Sequence, residues 1–230
     1  MRPDAANSRY QVISINFKRI TLLTMPMYMI EVEVPGVGAV DEERMKDFAS
    51  KSSKILESVA SKVLWSHSYV SRDILFCVFH SENKDLLKEH ADNEGFPLSK
   101  VSVVHATFDK TIMDSDSAYG PSSIGPVNAS ELSNDPRSKF MVIRPNPKGK
   151  SMLSHAELQS HAGSCRDACR KLGLQKVVWD HSFNTENGLY EMYFASNEEA
   201  VVEHTIAANF MVEKTARVTD VLSPATIDQA

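Results

Sequence analysis

Four histidines of this chain form two pairs with one separation. His67 stands in WSHSY (65–69) and His181 in WDHSF (179–183), while His90 stands in KEHA (88–91) and His204 in VEHT (202–205). Imidazole is a good ligand for zinc, nickel and copper, and a thiolate adds softness to such a site. Cys77, on the strand after His67, brings a thiol into the same region. The metal-ligand set expected from residue type is therefore His67, Cys77, His90, His181 and His204. On a strand, residues two apart share a face. Trp65, His67 and Tyr69 are thus expected to point one way, and Trp179, His181 and Phe183 likewise, as two ligand-binding aromatic walls with one imidazole in each. Whether Cys77 faces His67 depends on the hairpin register, which a one-residue slip reverses. No H-x-x-x-H or C-x-x-C pattern links these residues. A half-buried histidine on a backbone carbonyl, or one complementing a helix dipole, gives the same letters.

A second constellation, His161, Cys165 and Cys169, lies at i, i+4 and i+8 and looks like a ligand row. The same stretch carries Leu158, Ala162 and Leu172 at spacings of three and four, and cysteine packs as a small hydrophobe, so a core stripe is the stronger reading. Nucleophilic catalysis finds no G-x-S-x-G, and no glycine-rich phosphate loop occurs.

The elements that must position these residues follow from the repeat. Shifting the chain by 114 residues aligns 62–110 with 176–224, with 12 identities in 49 ungapped positions. This reads as a tandem duplication. Alternation and caps predict the same order twice: strand 27–35, a helix over 42–60 capped by Asp41, hairpin strands around Arg72-Asp73, a helix from Asn83 to Gly95, and a last strand. The second set is strand 140–145, helix 153–172, strands 176–184 and 188–194, helix 198–207, and strand 214–222. The order βαββαβ is the ferredoxin-like unit. Its sheet has helices on one face only, so the second copy is the natural cover for the other. The expected fold is α+β: tandem ferredoxin-like repeats forming an intramolecular dimeric α+β barrel. The organisation expected is an N-terminal tail (1–24), copy 1 (25–112), a Ser/Pro/Gly-rich linker (113–138) and copy 2 (139–225).

A net charge of −5 and the lack of a Lys/Arg cluster argue against nucleic acid as a partner. No run reaches the roughly 18 apolar residues that span a bilayer. Three cysteines are too few for a disulfide framework and fit a reducing compartment, hence a cytoplasmic location. Arg2, Arg9, Lys18 and Arg19 against Asp4 leave an organelle transit segment as the alternative.

Copy 1 carries a further pattern: Trp65, His67, Ser68, Tyr69 and Val70, then Phe76, Cys77 and Phe79, then Glu89, His90 and Ala91, then Gly95 and Pro97. Over about 27–112 it resembles the small bacterial nickel-binding-protein family, ferredoxin-like domains that pair as homodimers. Copy 2 keeps Trp179, His181, Ser182, Glu203 and His204 but has Glu191 for the cysteine, Phe183 for the tyrosine, and Asn209 and Met211 for Gly-x-Pro. The resemblance implies nickel or another divalent transition metal, and implies it more strongly for copy 1. The function expected is a metal-binding protein with His67 as first ligand, helped by His90 and Cys77, with Tyr69 hydrogen-bonded to a ligand, in or beside the inter-sheet cavity. The chain would be a monomeric pseudo-dimer or a further homo-oligomer, with a metal ion or a small molecule as its partner. The alternative is an enzyme acting on a small organic substrate in the same cavity by proton transfer, isomerisation or oxidation; a third reading is a partner-binding domain without such chemistry.

Overall fold

The computed structural model describes residues 25–41, 43–44, 62–95, 98–109, 135–147 and 150–224. The expected tail, most of the linker and the body of the helix over 42–60 lie outside these residues. At the start of that helix, Asp41 Oδ1 accepts from the Arg44 backbone N–H at 2.8 Å, as a capping residue does.

The described elements run β1 (Met27–Glu33), β2 (Val63–Ser71), β3 (Ile74–Ser81), α1 (Lys84–Glu94) and β4 (Leu98–Asp109). They continue with β5 (Ser138–Arg144), α2 (His155–Leu172), β6 (Val177–Thr185), β7 (Gly188–Ala195), α3 (Glu198–Ala207) and β8 (Lys214–Leu222). Local chemistry sets the ends. The Asn83 side chain accepts from the Asp85 and Leu86 backbone N–H groups, and Gly95 closes α1 at φ 74°. Ser154 and Glu157 form a capping box at α2.

The eight strands close into one antiparallel barrel in the order β1-β3-β2-β8-β5-β7-β6-β4. Within it each half keeps its four strands adjacent, as β4-β1-β3-β2 and β8-β5-β7-β6, the order of a ferredoxin-like α+β sheet. The halves join at two seams, with β2 against β8 (Ser68 opposite Leu222) and β4 against β6 (Thr107 opposite Phe183). β3 and β7 are buried along their whole length, which explains why their sequences are mainly apolar instead of alternating, with Glu191 the charge within β7. One face of each strand looks into the barrel, where Met29, Tyr69 and Phe76 of the first half meet Met141, Phe183 and Tyr190 of the second. The other faces pack separately, with Leu87 of α1 in one core and Leu158, Ala162 and Cys165 of α2 in the other. The three cysteines are buried and none is in a disulfide.

β2 and β6 each contain a bulge. Trp65 pairs with Phe79 and His67 with Val78, so Ser66 is the extra residue; Trp179 pairs with Tyr193 and His181 with Met192, so Asp180 is. A bulge re-aims the side chains on either side of it. The expectation that Trp65, His67 and Tyr69 share a face therefore fails, as does its counterpart for Trp179, His181 and Phe183. The tryptophans lie on the helix side, packed with the outer cores, while the histidine and the ring after it lie inside.

The β6–β7 turn has one demanding position. Gly188 sits at φ 142°, and a Cβ there would lie 2.3 Å from the Arg144 carbonyl oxygen. Gly188→Ala is expected to cost about 1–3 kcal/mol in urea unfolding, and an unchanged midpoint would contradict this close approach.

Candidate functional site

Inside the barrel the two repeated histidines converge on one oxygen. Tyr69 Oη lies 2.8 Å from His181 Nε2 and 3.1 Å from His67 Nε2, and all three side chains are buried. The bulged residues hold the far side of each ring: Ser66 Oγ is 2.9 Å from His67 Nδ1, and Asp180 Oδ2 is 2.6 Å from His181 Nδ1. A carboxylate only accepts, and this orders the chain. His181 Nδ1–H donates to Asp180, and a neutral imidazole so placed accepts at Nε2 from the Tyr69 hydroxyl. The phenol oxygen in turn accepts from His67 Nε2–H, and His67 Nδ1 accepts from the Ser66 hydroxyl. The line begins at the surface, since the Asp180 side chain is 40% exposed.

Burial decides the protonation states. It lowers the His67 pKa to about 3, with His181 and His80 adding to the effect, so this imidazole is neutral near pH 7. Burial, then Asp180, pushes the Tyr69 phenol well above its ordinary value. Phe183, the counterpart of Tyr69, stands edge-on to His181 at 5.3 Å. A single hydroxyl thus serves both imidazoles.

His80 was not among the expected residues. It occupies the inward face of β3 after Phe76 and Val78, its pKa is lowered by burial, and it is hydrogen-bonded to the Met25 backbone. Its Nδ1 is buried with no hydrogen-bond partner among the described residues. The alternation Phe76, Val78, His80 was readable, but its counterpart is Phe194, so the comparison of halves passes over it.

Cys77 and His90 are not brought to His67. Cys77 pairs with Ser68 and Ile30 on the outward face of the sheet, and His90 stands edge-on to Phe79 at 5.7 Å on the same side. Trp65 is also there, its Nε1–H donating to Ser68 Oγ at 2.9 Å. His204 takes the corresponding place in the second half, with Nε2 donating to the Cys165 carbonyl at 3.1 Å.

Around His204 the second half carries a buried polar cluster that has no counterpart among the described residues of the first half. Glu191, at the position of Cys77, accepts from Arg144 Nε and from Tyr193 Oη (3.0 Å), and lies 2.5 Å from His161 Nε2. Ser182 Oγ donates to it at 3.3 Å while accepting from Trp179 Nε1–H at 2.8 Å. Burial opposes its charge, but His161 and Arg144 outweigh burial and hold the carboxyl far below the usual range. His161, which the sequence offered in a ligand row with Cys165 and Cys169, is thus a partner of Glu191 and is stacked on Phe210 at 4.2 Å. The signal was one charge in each of two apolar strands, Arg144 in FMVIR and Glu191 in LYEMYF, because buried charges need each other.

Residues 28–104 match the model of the family described as Nickel responsive protein SCO4226-like. No curated protein matches the chain. Among solved structures the chain is similar to chlorite dismutase from Candidatus Nitrospira defluvii in complex with imidazole, at 12% identity and TM-score 0.43, over 92% of this chain and 96% of that one. It is also similar to a novel heme-binding protein from Thermus thermophilus, at 12% identity and TM-score 0.39, over 89% of this chain and 94% of that one.

Proposed function

We propose that this chain binds a divalent transition metal of the nickel type inside the barrel, held by His67 and His181. The observation that carries the reading is the convergence of two Nε2 atoms on one point, each ring fixed from behind by Ser66 or Asp180. For His181, whose Nδ1–H donates to Asp180, that back-side support is the usual arrangement of metal-ligating imidazoles, and His67 would reach it by moving its proton to Nδ1 and donating to Ser66 Oγ. The donor set fits such an ion: His67 is neutral, His80 has an unmet Nδ1 close enough to influence His67, and the Tyr69 oxygen sits where the two rings point. An ion would supply Lewis acidity there, while Tyr69 would turn from bridging the imidazoles to ligating or hydrogen-bonding. The match of 28–104 to a nickel-responsive family supports the same ligand. In this reading the chain is a tandem repeat acting as its own dimer, the site belongs to both copies, and no partner subunit is required.

Metal analysis of untagged protein, with nickel titration, tests the proposal. Wild type is expected to take up nickel at the barrel interior, and the His67→Ala/His181→Ala variant to bind one ion fewer per chain. Absence of uptake in wild type, or undiminished uptake in the variant, would defeat it.

A second reading, proton transfer on a small organic substrate, is favoured by the order Asp180, His181, Tyr69, in which a carboxylate orients an imidazole that accepts from a hydroxyl. Tyr69→Phe separates the two. It leaves nickel uptake within about threefold if the imidazoles hold the ion, and abolishes turnover if the phenol transfers the proton.

A further inference from the structure

We infer that the outer core of the second half contains a separate transition-metal site built from Cys165, His161 and Glu191. One ligating atom of each lies within 4.8 Å of the others, and all three side chains are buried. They offer sulfur, nitrogen and oxygen, the mixture that suits zinc, cobalt or nickel.

The topology makes this a built arrangement. His161 and Cys165 are one turn apart on α2 and face the sheet, and β7 presents Glu191 to them from below. Glu191 divides its oxygens, Oε1 toward His161 and Oε2 toward Arg144 and Tyr193. An ion taking Oε1 would therefore leave the guanidinium and the phenol as the partners that orient the carboxylate.

Two observations beyond the cluster point to a ligand. His204 is fully buried beside it, with its ring 4.9 Å from Tyr193 and its Nε2 on the Cys165 carbonyl, yet its Nδ1 has no hydrogen-bond partner among the described residues. The Cys165 sulfur, 3.6 Å from Tyr193 Oη, touches this polar network from the edge of the apolar core. Burial, then Glu191, keeps the thiol protonated without an ion, so binding is an exchange in which M²⁺ enters, the S–H bond breaks, an S–M bond forms and the thiol proton leaves to solvent, while the proton that His161 holds toward Glu191 leaves the nitrogen that takes the ion.

The first half cannot build this site, because Cys77 stands where Glu191 does. The exchange of cysteine for glutamate would then mark a different site in the second half, not the loss of one.

Cobalt(II) is the probe, because a thiolate ligand gives a sulfur-to-cobalt charge-transfer band that imidazole and carboxylate do not. The band is expected in wild type, in Cys77→Ser, and in the His67→Ala/His181→Ala variant, so it stands or falls apart from the barrel-interior reading. It should vanish in Cys165→Ser and in Cys165→Ala. His161→Gln should weaken cobalt binding at this site by at least the roughly 10–100-fold that loss of a supporting partner costs. No band in wild type, a band that survives loss of Cys165, or one that disappears instead with Cys77 or Cys169, overturns the inference.

Discussion

Glu191→Leu is expected to destabilise the metal-free chain by about 3–5 kcal/mol, the range found when one member of a buried ion pair is removed. Arg144 is buried, and although burial works against its charge, Glu191 and Tyr193 hold its pKa above the ordinary value. Deleting the carboxylate strands that guanidinium, and also strips an acceptor from Tyr193, Ser182 and His161. The loss should appear as a lower urea midpoint with an unchanged slope. Arg144→Leu/Glu191→Leu is expected to recover most of it, since removing both charges leaves neither unpaired. A change within about 0.5 kcal/mol for Glu191→Leu, the size of an ordinary surface substitution, would show that the network is solvated.

The second large effect is on acid stability. In the unfolded chain His67 takes up a proton near its ordinary value of 6.5, while in the fold it stays neutral to about 3. Between those values the unfolded state binds more protons, so stability falls as pH falls, by about 1.4 kcal/mol per unit at most. The contribution is complete above pH 6.5 and is lost, to the extent of a few kcal/mol, by pH 3. His80 and His204 are lowered too and act in the same direction. Glu191, whose folded pKa is depressed, adds its own loss only below the ordinary carboxylate range. The window from pH 6.5 to 4.5 therefore reports the buried histidines. Urea midpoints of metal-free protein across that window should slope downward with acid, and His67→Gln should flatten the slope. Identical slopes for the two proteins would exclude His67 as the cause.

Much of this architecture was legible because its causes are local. Asn83 and Gly95 bracket α1, Ser154 and Glu157 open α2, and the mainly apolar, non-alternating sequences of β3 and β7 reflect burial on both faces. One imidazole on the inner wall of each half was readable from the similarity of the halves, but the meeting of His67 and His181 at the Tyr69 oxygen was not. The bulges were not legible: one inserted residue leaves no periodic trace, and Ser66 and Asp180 are ordinary at a strand surface. That single residue moves Trp65 and Trp179 to the helix side and hands each histidine its hydrogen-bond partner. Arg144 and Glu191 were visible as charges in apolar strands, but their meeting with His161 depends on how α2 lies over β7.

The two seams have a consequence for the making of the protein. Ser68 finds its strand partner at Leu222, so the first half offers an open strand edge from the time it is synthesised until the end of β8 is available. Such an edge invites pairing with other chains. Pairing over so long a sequence separation is also slow to form. Newly made chains should therefore be most prone to sticking together during translation, and chains halted before β8 should aggregate where complete ones do not.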